Sequence, residues 1–76
     1  MTARPRHRMP ADVEHAIRQG RLRSAFAARP AYQRNDYVGW IIAAKRPETR
    51  AKRIDQMVDE LKRGDTYMKM AWQGKS

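Results

Sequence analysis

Five helix-interrupting residues, Pro10, Gly20, Pro30, Pro47 and Gly64, constrain this chain more than any other feature. Proline suits the first turn of a helix and disfavours a helical residue before it, while glycine favours a C-terminal stop. The chain is therefore cut into short segments, and each can be read for its own periodicity. In MPADVEHAIRQG, Pro10 opens a helix, Asp12 and Glu14 suit its positive end, and Gly20 closes it, with Val13, Ala16 and Ile17 as the apolar stripe. RLRSAFAARP repeats the pattern with Leu22, Ala25 and Phe26 until Pro30 disfavours a helical Arg29.

The next segment, AYQRNDYVGWIIAAK, places Tyr37, Val38, Ile41 and Ala44 at helical spacing, and Trp40 and Ile42 widen that stripe. This predicts a central helix touched from two directions. Gly39 within it costs about 1 kcal/mol of helix propensity relative to alanine. Either a neighbour's backbone comes close there, or it is a tolerated surface glycine. Pro47 starts a further helix that runs to Gly64 with Ala51, Ile54, Met57, Val58 and Leu61 facing the core. The short connection makes these two helices packing neighbours. Beyond Gly64, Met68, Met70 and Trp72 alternate with Lys69 and Ala71 as in an extended segment. A single strand has nothing to pair with, so the segment is expected to lie over the helices, burying Tyr67, Met68 and Trp72.

The predicted fold class is all-α: a small four-helix bundle of orthogonal or irregular packing with an extended C-terminal arm. Residues 1–9 are read as a disordered basic arm, 10–64 as the helical domain and 65–76 as an arm packed on it. At 76 residues the chain is one small domain, and without cysteine it has no disulfides or thiolate zinc cage to staple it. No apolar run approaches the roughly 20 residues of a membrane span. These features predict a soluble, cytoplasmic monomer.

A net charge of +9 attracts nucleic acid or anionic lipid without specifying either. Residues 1–30 hold seven basic and two acidic side chains, net +5, so the front end is the more basic per residue. Arg4, Arg6, Arg8, Arg21 and Arg23 are the candidate phosphate contacts of a nonspecific nucleic-acid binder. A membrane-surface helix would need a bulky apolar face against a basic one, and only Leu22 to Phe26 with Arg18, Arg21, Arg23 and Arg29 comes near.

KRPETRAKRID, residues 45–55, concentrates five positive charges, but Lys52 and Arg53 point a full helical step apart. Glu48, Asp55 and Asp59 form an acidic line flanked by Lys52 and Lys62, the pattern of a solvated face laced with ion pairs. Arg50 alone falls on the apolar stripe. Its guanidinium is expected to cap the carbonyls around Ala43 to Lys45 or, with Lys45, Arg46 and Arg53, to hold an anion or partner at the corner. A helix-turn-helix reader starting at PETR is a further geometry, though the proline-broken turn is tight.

YVGWIIAAKRPETRAKRID, residues 37–55, resembles the helical module of the YdeI/OmpD-associated, or bacteriocin-protection, family. The resemblance is strongest from Tyr37 through Leu61 and rests on Trp40, Ile41, Ala44, Lys45, Pro47, Glu48, Thr49, Arg50, Arg53 and Ile54, with YMKMAW similar to a following segment in some relatives. It implies an all-helical domain linked to antimicrobial-peptide tolerance or envelope stress, and it supplies no catalytic residues. The chemistry agrees: two histidines and two serines make a poor catalytic inventory, His7 lies in the arginine-rich arm, and His15 reads as an ordinary surface or half-buried histidine. No metal or cofactor is expected. The predicted function is therefore a non-enzymatic interaction module for an unidentified protein partner, with Trp40, Trp72 and Tyr67 as the candidate partner surface.

Overall fold

The computed structural model describes residues 7–72. Four helices follow one another as expected: α1 (Ala11–Gln19), α2 (Arg23–Ala27), α3 (Ala31–Ile42) and α4 (Pro47–Arg63). Pro10 and Pro30 stand at the N-caps of α1 and α3, and Pro47 opens α4 behind an extended Arg46. Gly64 ends α4 in the left-handed region at φ 79°, where glycine carries no side-chain penalty.

The stop of α1 differs from the expected one. Gly20 keeps a right-handed conformation, and the following Arg21 takes the left-handed one at φ 57°. The Leu22 N–H then donates to the Ile17 carbonyl (2.8 Å) and the Arg21 N–H to that of Arg18 (3.1 Å). This left-handed capping motif satisfies two end carbonyls, and its usual apolar contact is formed by the buried Ile17 and Leu22. An arginine thus occupies a position that ordinarily favours glycine.

Val13, Ile17, Leu22, Tyr37, Ile41, Met57 and Leu61 form one core, with Phe26, Trp40, Ile54 and Val58 packed against it. Leu22, just ahead of α2, is buried in this core and Phe26 packs half-buried against it, so the apolar face read for a membrane surface is largely turned inward. The stripe expected on α4 is rotated: Ala51 is exposed, Ile54 and Val58 are half-buried, and Glu60 is buried beside Leu61. On α3, Ile42 is exposed, and Gln33 is buried on the same face as Tyr37 and Ile41.

The fold is mostly helical but not purely so. Thr66–Tyr67 (β1) and Met70–Ala71 (β2) pair antiparallel in register Thr66 with Ala71 and Tyr67 with Met70. The segment expected as a lone strand pairs with itself because Met68 (φ 50°) and Lys69 (φ 64°) turn back in the left-handed region, giving a two-residue hairpin. Trp72 N–H closes its base on the Asp65 carbonyl at 2.8 Å. Tyr67, Met68 and Trp72 are half-buried against the helices.

Of the expected disordered arm, residues 1–6 lie outside the described residues, so Arg4 and Arg6 have no structural account. His7 to Met9 run across α3. The His7 N–H donates to Asn35 Oδ1 at 2.9 Å, and Met9 packs on the core. A Cβ on Gly39 would come within 2.6 Å of His7 Nε2, so the close neighbour at this glycine is an imidazole rather than a backbone.

Candidate functional site

The arginines sort into those that hold the fold and those that the fold leaves free. Arg53 Nη1 donates to the Trp40 carbonyl at 2.6 Å, with its guanidinium 5.2 Å from the Trp40 ring centre. That carbonyl lies in the last turn of α3, where intrahelical donors run out. The corner is therefore tied by Arg53 and not by Arg50, because Arg53 lies beneath the end of α3 whereas Arg50 is directed toward α1. There Arg50 grips Asp12 with a fork, Nε to Oδ2 at 2.6 Å and Nη2 to Oδ1 at 3.1 Å. The Arg50 hydrogen bonds hold the Asp12 carboxyl below its ordinary value near 3.8, and Asp12 in turn raises the Arg50 guanidinium. Arg63 pairs with Asp59 on the exposed face of α4.

Arg29, a free cation in the sequence reading, is buried. Nη1 donates to Gln33 Oε1 (3.2 Å), Nη2 to the Glu60 carbonyl (2.9 Å), and the guanidinium sits 4.5 Å from the Trp72 ring centre. It lies at the C-terminal end of α4, where the helix dipole favours a cation.

Sequence reasoning missed Glu60, around which the second half of the chain is organised. Tyr37 Oη and the Met68 N–H (2.9 Å) donate to Oε1, while Gln56 Nε2 (3.1 Å) and the Lys69 N–H (2.8 Å) donate to Oε2. Four donors on two oxygens is the pattern of an acceptor-only carboxylate. The two amides come from the left-handed turn residues, so the carboxylate holds the hairpin tip in its strained conformation. Burial and the Glu60 acceptor push the Tyr37 hydroxyl far above the ordinary tyrosine range. Tyr67 stands edge-on between Tyr32 and Tyr37 and donates to Asp36 Oδ2 at 2.7 Å. One signal was available: Glu60 lies three residues beyond Met57, on the same helix face.

These contacts redraw the candidate surfaces. Trp40 lies by Arg53 near the start of α4, while Tyr67 and Trp72 lie by its last turns, about 10 Å along the helix. The two tryptophans do not form one surface. At the corner, Arg50 and Arg53 are engaged, leaving Lys45 and Arg46 exposed.

A further group of arginines has no acceptor among the described residues. Arg18, Arg21 and Arg23 are exposed around the α1–α2 turn, with Arg8 exposed in the preceding segment. Beside them a cavity of about 400 Å³ is lined by His7, Met9, Phe26, Arg34, Asn35 and Val38, and an adjoining one of about 310 Å³ shares Met9, Phe26 and Arg34 and reaches Arg18 and Arg23. No cluster of metal-ligating side chains is found among the described residues, and no helix there is long and apolar enough to cross a membrane. His15 Nε2 faces Gln19 Nε2 at 3.2 Å on the exposed side of α1.

The four helices and their arginine ties coincide with a family model described as bacteriocin-protection, YdeI or OmpD-associated, which matches residues 7–64. The chain belongs to this family. Comparison with the curated proteins and with the solved structures returns no match. The family segment of this YdeI/OmpD-associated domain contains Glu60 and stops at Gly64, so the hairpin that supplies two of the carboxylate's donors follows the matched residues. It also takes in His7, Met9 and the α1–α2 turn, well upstream of the residues that carry the resemblance most strongly.

Proposed function

We propose that this YdeI/OmpD-associated domain is a non-enzymatic, monomeric, cytoplasmic interaction module that docks an acidic face of a protein partner through Arg18, Arg21 and Arg23, in the setting of bacteriocin or antimicrobial-peptide tolerance and envelope stress. One observation carries this reading. Arg21 occupies a left-handed position that costs a non-glycine residue about 1 kcal/mol or more, its side chain is exposed, and it has no acceptor among the described residues. The fold gains nothing from this side chain and would be steadier with glycine, which is the mark of a residue kept for what it meets. Its neighbours Arg18 and Arg23 are equally free, whereas Arg29, Arg50, Arg53 and Arg63 are engaged. Family membership supports the cellular setting, and the poor catalytic inventory supports a binding role.

The decisive experiment is complementation. Cells lacking the protein regain survival under bacteriocin or antimicrobial-peptide challenge when supplied with the wild type, and the Arg21→Glu/Arg23→Glu variant, folded by circular dichroism, fails to restore it. Equal rescue by the variant removes the proposed surface. The same free arginines favour a second reading, phosphate contact with nucleic acid. Titration with a short DNA duplex at about 150 mM salt, where charge screening already acts over about 8 Å, tests it. Saturable amide shifts at Arg21 and Arg23 that weaken steeply with added salt support that reading, and the absence of shifts at these residues excludes it.

A further inference from the structure

We infer that the cleft between His7 to Met9, α2 and α3 is a binding site for a small organic carboxylate with an apolar tail, held through Arg34. This inference rests on the larger cavity, which Arg18, Arg21 and Arg23 do not line, and so stands apart from the docking surface proposed above.

Arg34 differs from the engaged arginines in its surroundings. Its Nε is shut off from solvent and has no acceptor among the described residues, while its side chain lines both cavities. Native proteins satisfy nearly all buried donors, so a guanidinium whose Nε is covered and unpaired is short of acceptors, and an anion in the cavity it lines would compensate its charge. Packing over Nε fixes the guanidinium before anything binds, which lowers the entropy cost of binding. The remaining polar lining of the larger cavity, His7 and Asn35, brings no carboxylate, and Glu14 reaches only the adjoining one. The field in the larger cavity is therefore positive and suits an anion.

The rest of that lining is apolar. Met9, Phe26 and Val38 face a volume of about 400 Å³, within the roughly 300–1,000 Å³ typical of small-molecule sites. A guanidinium set beside a methionine, a phenylalanine and a valine selects against bare inorganic anions and against uncharged apolar molecules alike. A carboxylate fits the planar fork of arginine, and a short alkyl or aryl tail fits the apolar wall. Methionine adapts to tails of different shape, so the site is expected to choose a chemical class rather than one compound.

The test titrates the full isotope-labelled chain with octanoate, and in parallel with octanol, acetate and inorganic phosphate, following backbone amides by NMR. Octanoate is expected to give saturable shifts at Met9, Phe26, Asn35 and Val38, with acetate, phosphate and octanol each at least tenfold weaker. Arg34→Met retains the apolar stem and is expected to weaken octanoate at least tenfold. Ala31→Leu, an exposed position at the cavity mouth, is expected to obstruct the tail without entering the core, and it keeps the test open if the arginine variant unfolds. Unchanged octanoate affinity in either folded variant overturns the inference. So do phosphate or acetate binding as tight as octanoate, and shifts confined to Arg18, Arg21 and Arg23. Failure of the complementation experiment leaves this readout untouched, because neither Arg21 nor Arg23 lines the larger cavity, where octanoate is expected to bind.

Discussion

Replacing Glu60 with glutamine is the sharpest test of how the C-terminal segment is held. Glutamine keeps the shape of the side chain but turns one oxygen into an NH₂ group. If the NH₂ takes the place of Oε2, Gln56 can flip its amide and offer an oxygen, but the Lys69 N–H then faces a donor. If it takes the place of Oε1, Tyr37 can rotate its hydroxyl to accept, and the Met68 N–H is left facing a donor instead. Either way one backbone amide loses its acceptor, at about 1–3 kcal/mol, and the surviving bonds lose their charge assistance. The expected cost is about 3 kcal/mol. Stability of a 76-residue domain is roughly 4–11 kcal/mol, so the loss is a large share of the total. A thermal midpoint lower by roughly 10–20 °C and a matching fall in urea midpoint are expected. Amide hydrogen exchange at Met68 and Lys69 is the specific readout, and both should lose protection before the helices do. A cost below about 1 kcal/mol with both amides still protected would refute the view that the carboxylate holds the turn.

Arg21→Gly should raise stability by about 1 kcal/mol, measured by urea unfolding, because it relieves the left-handed strain at φ 57°; a loss of stability would mean that the side chain does pack. Asp12 has its carboxyl lowered by Arg50, so the pair's contribution is present above the ordinary carboxylate range and fades as pH falls through the folded-state value. Asp12→Asn should therefore be less stable than wild type at neutral pH and converge with it in acid, and parallel curves would rule out the ion pair as the source. In Gly39→Ala the new methyl must displace the His7 ring from a 2.6 Å approach, while α3 gains up to about 1 kcal/mol of propensity. His7 ring resonances that move while the core stays fixed are the expected result, and unmoved resonances contradict the close approach.

Most of the helical frame was legible because local chemistry decides it. Pro10, Pro30 and Pro47 mark the helix starts, and the stripe of α1 is regular enough to show which face points inward. Legibility failed where a polar group is buried by partners beyond its own helical turn. Glu60 reads as one more acid on a charged helix until the hairpin amides eight and nine residues away meet it. Arg29 likewise reads as a free cation until Trp72 and the end of α4 enclose it. The hairpin carries no Asn-Gly or other turn signal; Met68 and Lys69 adopt left-handed conformations because a buried carboxylate accepts their N–H groups. At the corner the residue type was right and the position wrong. An arginine does cap α3, but which one depends on the rotation of α4 against its neighbour, and a stripe of half-buried residues does not fix that angle.

The same sorting of arginines explains how so basic a small domain holds together. Arg29 on a helix end, Arg50 on Asp12, Arg53 on the Trp40 carbonyl and Arg63 on Asp59 convert repelling charges into ties between elements, so the net +9 overstates the repulsion that the fold must bear. Repulsion remains among the exposed Arg18, Arg21 and Arg23, and between Lys45 and Arg46 at the corner. Exchanging a fold-holding arginine for lysine preserves the net charge but loses the fork or the reach to a carbonyl, so it weakens the structure while leaving the external field alone. Exchanging Arg21 for glutamine does the reverse, weakening the external field while leaving stability nearly unchanged. The two effects therefore separate by residue: stability follows the engaged arginines, and attraction of acidic partners follows the free ones.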